Sequence, residues 1–426
     1  AFKGSPVGRA VETFFSPYNI PNMRAAAYDV CVNRPKVAAY RAPGAPMATF
    51  AAEGVLNELA ERIGMDPVEI RRKNAVKEGD ESLKGHKHGR IGLIEVLEEV
   101  KAHPHYKAAI GANQGRGFAV GYWLHGGGLS SASVILQDDG TVSVATGNPD
   151  IGGSRSSMRA MVAEELGLDV ELVKPIIADT GSVPYSYQTA GSRTTYATGM
   201  AVINAARDVI DKLRDIAARK WEIATEDVRW DSGHALPPDA RKGDIEPLSL
   251  KELAAMATKM GGAVAGHSEI SATGQGAAFC AQLVDVEIDP ETGFTATKRY
   301  TIFQDVGRAI SPDYVEGQMQ GGAVQGIGWA LNEEYIYDAK GCLQNPGFLD
   351  YRMPVASDVP MIDTVIVEVP NPNHPYGVRG VGEPPLVSAP AAVANAVENA
   401  VGKPMSNLPL SPPKVLKAIE EVAAGN

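Results

Sequence analysis

Apolar side chains recur at i, i+3, i+4 spacing across residues 47–74 (MATFAAEGVLNELAERIGMDPVEIRRKN), and Asp66-Pro67 interrupts the run with an N-cap residue and a first-turn proline. This pattern predicts a helical hairpin. A polar stretch, KEGDESLKGHKHGR, follows over 77–90 as a surface loop, and an amphipathic helix is expected around Gly92–Lys101. Two later stretches share one plan. SASVILQDDGTVSVATGNPDIGGSRSSMRAMVAEELGL and CAQLVDVEIDPETGFTATKRYTIFQDVGRAISPDYVEGQMQGGAVQGIGWAL each carry an alternating strand, an acidic-Gly turn, a second strand, a Gly-containing loop and a helix. Between them, 194–223 reads as one long helix and 230–266 as irregular, Gly- and Pro-containing chain. The last part predicts a strand over Ile362–Val369, a loop dense in Pro and Gly (PNPNHPYGVRGVGEPP) and a small-residue helix (SAPAAVANAVENAV). The first thirty or so residues read as strand-like, with no capping signal at their start. Because the strands arrive as hairpins, the expected architecture is α+β and not a doubly wound parallel sheet. It divides into segments 1–110, 111–265 and 266–426.

Composition narrows the function classes. At 426 residues, with 44% hydrophobic and 21% charged positions, the chain can bury a sizeable core. A net charge of -11 disfavours a nucleic-acid groove or an anionic membrane as partner, since both demand basic surface. Cys31, Cys280 and Cys342 are too far apart for a CxxC pair, so neither a disulfide framework nor an iron–sulfur or structural zinc site fits within the chain, and a cytoplasmic compartment is expected. No apolar run approaches the roughly 20 residues a membrane span requires. His86–His88 (HKH) and His103–His105 (HPH) read as solvated loop histidines and not as metal ligands.

The candidate chemistry is concentrated in Gly/Pro-rich loops. In Tyr376–Pro385 (YGVRGVGEPP) a single carboxylate, Glu383, sits among glycines and ahead of two prolines, a loop that brings backbone close to a ligand and aims one acid at it. A lone Glu in a loop is more often simply solvated, so the motif needs company. Ala39–Met47 (AYRAPGAPM) enters the first strong helix and offers backbone N–H groups to an anion or ligand, although a plain helix-initiating turn has the same composition. Gln188–Gly199 (QTAGSRTTYATG) places Gly, Ser and Thr at the start of the long helix, a geometry suited to phosphate. Gly317–Leu331 (GQMQGGAVQGIGWAL) carries Gln318, Gln320 and Gln325 on a Gly-rich helix able to pack against a flat ligand.

Taken in this order, the loops resemble the molybdopterin-binding large subunit of the xanthine dehydrogenase and aldehyde oxidase family, from about Tyr18 to the C-terminal helix. GVGEPP followed by a small-residue helix is the most specific element, and AYRAPGAP the second. The resemblance implies that Glu383 is the general base of an oxidative hydroxylation, taking a proton so that a water-derived oxygen can attack an electrophilic carbon. It implies that Arg41 and Ala42 lie beside the cofactor, with Pro43 at a substrate-facing position. Gly191, Ser192, Arg193, Gln318 and Gly382 match cofactor-contacting positions. Arg9 matches, more loosely, a basic residue that reaches substrate in purine-oxidising relatives. The implied cofactor is molybdopterin with molybdenum, as the cytosine dinucleotide, and the metal is held by the pterin dithiolene, so no protein metal ligand is expected. Partners carrying 2Fe-2S and FAD are implied with it.

This chain departs from the pattern in two ways. Where many relatives have Gly-Gln-Gly after the first repeat's second strand, it has Asp150-Ile151-Gly152-Gly153-Ser154. The family's N-terminal part of the subunit is also not in this sequence. Segment 1–110 therefore reads as part of a first molybdopterin-binding domain, and a complementary N-terminal molybdopterin subunit, as in split members such as nicotinate dehydrogenase, or processing of a longer chain is expected. Two rivals stay open. A hydrolase is suggested by the oxyanion-hole-like His125-Gly126-Gly127-Gly128, but Gly152–Ser156 and Gly266–Ile270 both lack the final Gly of a GxSxG elbow. HGGG reads better as a sharp strand-to-strand turn. The second rival is a non-catalytic subunit retaining the fold. N-heteroaromatic acids, purines and aldehydes are all compatible substrates.

Overall fold

A computed structural model describes residues 4–425 except positions 38, 178, 180, 182, 184, 261 and 275. The chain opens with a helix, α1 (Val7–Thr13), where the sequence predicts strand. Its β-branched Val7, Val11 and Thr13 favour strand, but the turn docks on the Gly44 loop so closely that a Cβ at Gly44 would lie 2.4 Å from the Pro6 carbonyl oxygen. Tertiary packing overrides propensity here. Residues 23–37 follow as an extended arm lying outside every strand ladder, with Tyr28 and Val30 exposed.

The expected hairpin is present as α2 (Ala45–Arg62) and α3 (Pro67–Asn74), and Asp66 caps α3 by accepting from the Val68 and Glu69 N–H groups at 2.9 Å. A buried ion pair locks the two helices together. Glu53 accepts from Arg71 Nε at 2.8 Å, from the Val120 N–H at 2.6 Å and from the Tyr18 hydroxyl. The loop over 77–91 leads into α4 (Leu93–Ala102) and the short α5 (Pro104–Lys107). The expectation for HPH fails, because His105 is fully buried, with Nδ1 2.8 Å from Thr301 Oγ1 and Nε2 3.1 Å from Asp285. His88 of HKH is buried as well. Both face groups distant in sequence, which local polarity does not reveal.

Next come β1 (Gln114–Leu124), β2 (Gly128–Leu136), β3 (Val142–Thr146), α6 (Ser154–Leu166), β4 (Val173–Ile177) and α7 (Gly199–Trp221), the last entered through a π-turn at Thr194–Thr198. The segment 230–266 is more regular than its composition suggests. It holds a small sheet, β5 (Arg229–Asp231), β6 (His234–Leu236) and β7 (Leu248–Ser249), and the helix α8 (Leu250–Met260). A reciprocal bond starts α8, since the Ser249 N–H donates to Glu252 at 2.8 Å and the Glu252 N–H to Ser249 Oγ at 3.3 Å. The chain continues through β8 (Val264–Ala272), β9 (Ala277–Ile288), β10 (Thr295–Asp305), α9 (Pro312–Leu331), β11 (Ile362–Val367), α10 (Pro384–Val387), α11 (Ala389–Val401) and α12 (Pro412–Ala423).

Two four-stranded sheets organise this α+β fold. One has the order β1-β9-β10-β11 and the other β4-β3-β2-β8. Strands are therefore exchanged along the chain: β1 precedes β2 by the HGGG turn yet pairs with β9, while β8 returns to pair with β2. HGGG thus carries the chain from one sheet to the other. Helix α11 crosses the first sheet at two glycines, where a Cβ on Gly115 or Gly117 would lie 2.1 or 2.0 Å from the Ala396 or Ala392 carbonyl oxygen. Helix α7 crosses the second at Gly266, where a Cβ would be 2.0 Å from the Ala205 oxygen. Small-residue α11 can therefore lie flat on β1 and hold the loop before it against both sheets. Among the described residues no helix is long and apolar enough to cross a membrane.

Candidate active site

Glu383 stands at the N-cap of α10, with Pro384 and Pro385 in the first turn fixing its backbone. Its carboxylate is clamped from two sides. Oε1 accepts from the Ala42 N–H at 3.2 Å and Oε2 from the Ser192 hydroxyl at 2.9 Å, while Ser192 Oγ accepts the N–H of Glu383 itself at 3.0 Å. Both clamping residues hold left-handed backbone, φ 55° at Ala42 and φ 53° at Ser192, a costly conformation for side chains of this kind. Strain of this sort persists where the surroundings impose it, and here it turns one N–H and one hydroxyl onto one carboxylate. Burial raises the pKa of Glu383 above the ordinary carboxylate range, and it outweighs the opposing effects of the Ser192 hydrogen bond, the Ala42 N–H, the Trp123 indole and Arg41.

Arg41 stitches the neighbouring loops together. Its Nε donates to the Gly382 carbonyl, one Nη to the Gln318 carbonyl at 3.0 Å and the other to Gln325 Oε1 at 3.4 Å. The residue before Glu383 is thereby tied to α9. Arg193 does the same for the next loop: it donates to the carbonyls of Gly127 (2.7 Å), Tyr187 (3.1 Å) and Leu129 (2.7 Å) and to Ser130 Oγ (2.5 Å). Its guanidinium is thus committed to the protein's own acceptors. Gln318 reaches toward the glycine loop, since a Cβ on Gly152 would meet its side chain at 2.7 Å.

Two cavities meet at this point. The larger, about 440 Å³, is lined by Glu383, Arg9, Pro43, Trp123 and Tyr187. The smaller, about 120 Å³, is lined by Gly152, Ser154, Thr189, Ser192, Gln318 and Gly382. The structure therefore brings all the sequence-predicted residues into one region, with Arg9 arriving on α1 and paired to Glu12 at 2.5 Å. Sequence reasoning missed Trp123, which β1 turns toward Glu383, and the buried pair Arg379–Asp305. Arg379 lies four residues before Glu383 and donates to the carbonyls of Val369, Ala277 and Arg90 at 2.9, 2.8 and 2.6 Å, with Asp305 at 3.0 Å. The HGGG turn offers no oxyanion hole at its first glycine, because the Gly126 N–H is spent on the Gly191 carbonyl at 2.6 Å. His125 is buried, accepts from the Gly276 N–H at 3.0 Å, and is pushed down to about 3 by burial and by nearby Arg379 and His374.

Comparison with known proteins defines the class. Models of the molybdopterin cofactor-binding domain match residues 95–360 and 2–75, so the chain belongs to the molybdopterin cofactor-binding domain family. It is 35% identical over 404 residues to a putative xanthine dehydrogenase molybdenum-binding subunit of Escherichia coli, covering 90% of this chain and 53% of that protein. It is 31% identical to an aldehyde oxidoreductase of Megalodesulfovibrio gigas, covering 97% and 45%. Among solved structures, quinoline 2-oxidoreductase from Pseudomonas putida 86 superposes with a TM-score of 0.82 at 26% identity, over 90% of this chain and 53% of that one. The chain spans about half the length of the curated relatives it matches.

The residues present fit such a cofactor. The smaller cavity is rich in hydroxyls, with Ser154 at the start of α6 and Thr194 and Thr195 on the π-turn that enters α7, so side-chain donors line one anion-sized space. Glycines 152 and 382 keep its walls open to close approach. Among the described residues no group of three or more His, Cys, Asp or Glu is placed to hold a metal ion.

Proposed function

We propose that this chain forms the part of a molybdenum hydroxylase large subunit that supplies the general base, Glu383, and one wall of the cofactor site. The observation that carries the reading is the Glu383 carboxylate, clamped by Ala42 and Ser192 where a hydroxyl-rich cleft and a larger cavity meet. Gly152, Ser192, Gln318 and Gly382 would face the pterin and its phosphates, and Arg41 and Ala42 would flank them. Gly191 and Arg193 shape the same wall, Arg193 through the carbonyls it gathers and not through direct contact with the cofactor. Pro43 and Arg9, with Trp123 and Tyr187, would line the substrate side.

When bound, the molybdenum–pterin group supplies the two-electron acceptor and the water-derived oxygen. The chain's own residues handle the proton. A carboxylate whose pKa is raised by burial is a stronger base than a solvated one, and the Ala42 and Ser192 donors favour its ionised form and hold it in one rotamer. It accepts a proton at an Oε while the larger cavity holds the substrate carbon nearby. Substrates of the N-heteroaromatic or aldehyde class fit a space walled by an indole, a phenol and a proline, with Arg9, paired to Glu12, at its edge.

The cofactor is proposed as molybdopterin cytosine dinucleotide. Relatives named as a carbon monoxide dehydrogenase large chain and as subunit gamma of a 6-hydroxypseudooxynicotine dehydrogenase complex support a multi-subunit assembly, in which 2Fe-2S and FAD subunits are the proposed partners. The remainder of the large-subunit fold, on the same polypeptide or a partner, would close the site. Purification of the native assembly with analysis of metal, pterin and partner chains tests this. Molybdenum and pterin in near-equal amounts with this chain are expected, and a metal-free monomer would contradict it.

A further inference from the structure

Trp123 occupies an unusual position for a core residue. It is 2% exposed and packs with Ala42, Ala45 and Val387, wedged between the loop that carries Ala42 and the turn that carries Glu383. It also lines the larger cavity together with Glu383. Its indole Nε1 is buried with no acceptor in hydrogen-bonding geometry, yet it lies close enough to the Glu383 carboxylate to favour that group's ionised form. A buried N–H left unmade is costly, and a phenylalanine or leucine would fill the same apolar wedge without that cost. The one strong acceptor beside it is the Glu383 carboxylate, whose two oxygens each already take one donor and each have room for another.

We propose that the Trp123 indole N–H is a positioning donor for Glu383, closing onto the carboxylate when it is ionised and parting from it when the base has taken up its proton. The proposal rests on Glu383 being the base. A carboxylate of this kind needs support that varies with its charge, and the existing bonds cannot supply all of it: the Ser192 hydroxyl and the Ala42 N–H also serve to fix the loop backbone. The groups that face Glu383 from other elements are Arg41 from the loop before α2, Ser192 and Arg193 before α7, Gln318 on α9, Arg9 on α1, and the phenols Tyr40 and Tyr187. Of these, Arg41 is committed to the carbonyls of Gly382 and Gln318, Arg193 to those around Gly127, and Arg9 to Glu12. Among the described residues that face Glu383, the indole is the buried donor without an acceptor in hydrogen-bonding geometry.

The test uses the assembled enzyme with Trp123→Phe and, as a second variant, Trp123 replaced by benzothienylalanine, which keeps the indole's shape with sulfur in place of N–H. The acid limb of the kcat/KM–pH profile reports the base in the free enzyme. Loss of a donor that favours the charged form is expected to move that limb to higher pH by roughly one unit in both variants. A tryptophan fluorescence titration gives a second readout. The component with the same midpoint should vanish in Trp123→Phe and in Glu383→Gln alike. An unmoved limb in the benzothienylalanine enzyme, or a loss of rate equal at every pH, would overturn the proposal. Turnover retained by Glu383→Gln would overturn the base assignment instead, so the two failures are distinguishable.

Discussion

At the scale of single residues, Ser192 shows how the site is built. Its left-handed backbone points one oxygen at both the N–H and the carboxylate of Glu383, accepting from the first and donating to the second. Ser192→Ala removes both bonds at once. The expected outcome is a 10–100-fold fall in kcat/KM near neutral pH, corresponding to about 1.4–2.7 kcal/mol of lost transition-state stabilisation. The acid limb should move up, because the Ser192 hydrogen bond favours the ionised form. A pH–rate series on the variant checks both. The sequence made part of this legible. Gly-Val-Gly-Glu-Pro-Pro and Ala-Gly-Ser-Arg are local punctuation, and local punctuation survives as loop geometry. Trp123 and Arg379 were not legible as site residues, because what they face depends on strand register and on chain segments far away.

At the scale of elements, the hairpins and long helices follow their hydrophobic period, and the misses have two causes. Helix α1 and the buried His105 are set by partners distant in sequence, and α8 by a Ser-x-x-Glu box that was present but hidden among glycines and prolines. Element packing also leaves a pH-dependent cost. Glu398 near the end of α11 is partly buried facing Glu58 and Glu61 of α2, and burial, reinforced by those two carboxylates, pushes it up to about 7. A carboxyl whose folded pKa lies above its unfolded value adds stability that is fully present below the unfolded pKa, near 4.5, and is lost as pH rises through about 7. Glu398→Gln should therefore stabilise the protein by about 1–2 kcal/mol at pH 8, allowing for solvent screening of a partly exposed group, and not at all below pH 4.5. Denaturation curves at the two pH values check this, since a difference independent of pH would mean the charge is not the cause. The Met405 N–H, 2.8 Å from Glu398 Oε1, keeps an acceptor in the variant.

At the scale of the whole molecule, the strand exchange between the two sheets explains why four loops scattered over more than three hundred residues converge. The HGGG turn passes from β1 to β2, the loop before α7 anchors on it through Gly191, and α11 presses the Glu383 turn against β1. The sheets' hairpins were readable from sequence, but their interleaving was not, because which strand pairs with which is a choice among long-range alternatives of similar pattern. Arg379 and Asp305 then tie the loop leading to the base into the first sheet. Asp305 is raised to about 6 by burial even beside Arg379, so its charge is held at a cost. That a buried ion pair stands here is consistent with a site that needs fixed geometry more than it needs stability.

The most direct measurement is turnover by the assembled enzyme carrying Glu383→Gln, made alongside its molybdenum and pterin content. Glutamine keeps the shape, and its one amide oxygen can still accept from Ala42 or from Ser192, but it cannot take up a proton at working pH. Cofactor content near that of the parent with turnover lower by at least 10³-fold is the predicted result. Turnover within tenfold of the parent, with the cofactor in place, would contradict the assignment of Glu383 as the base.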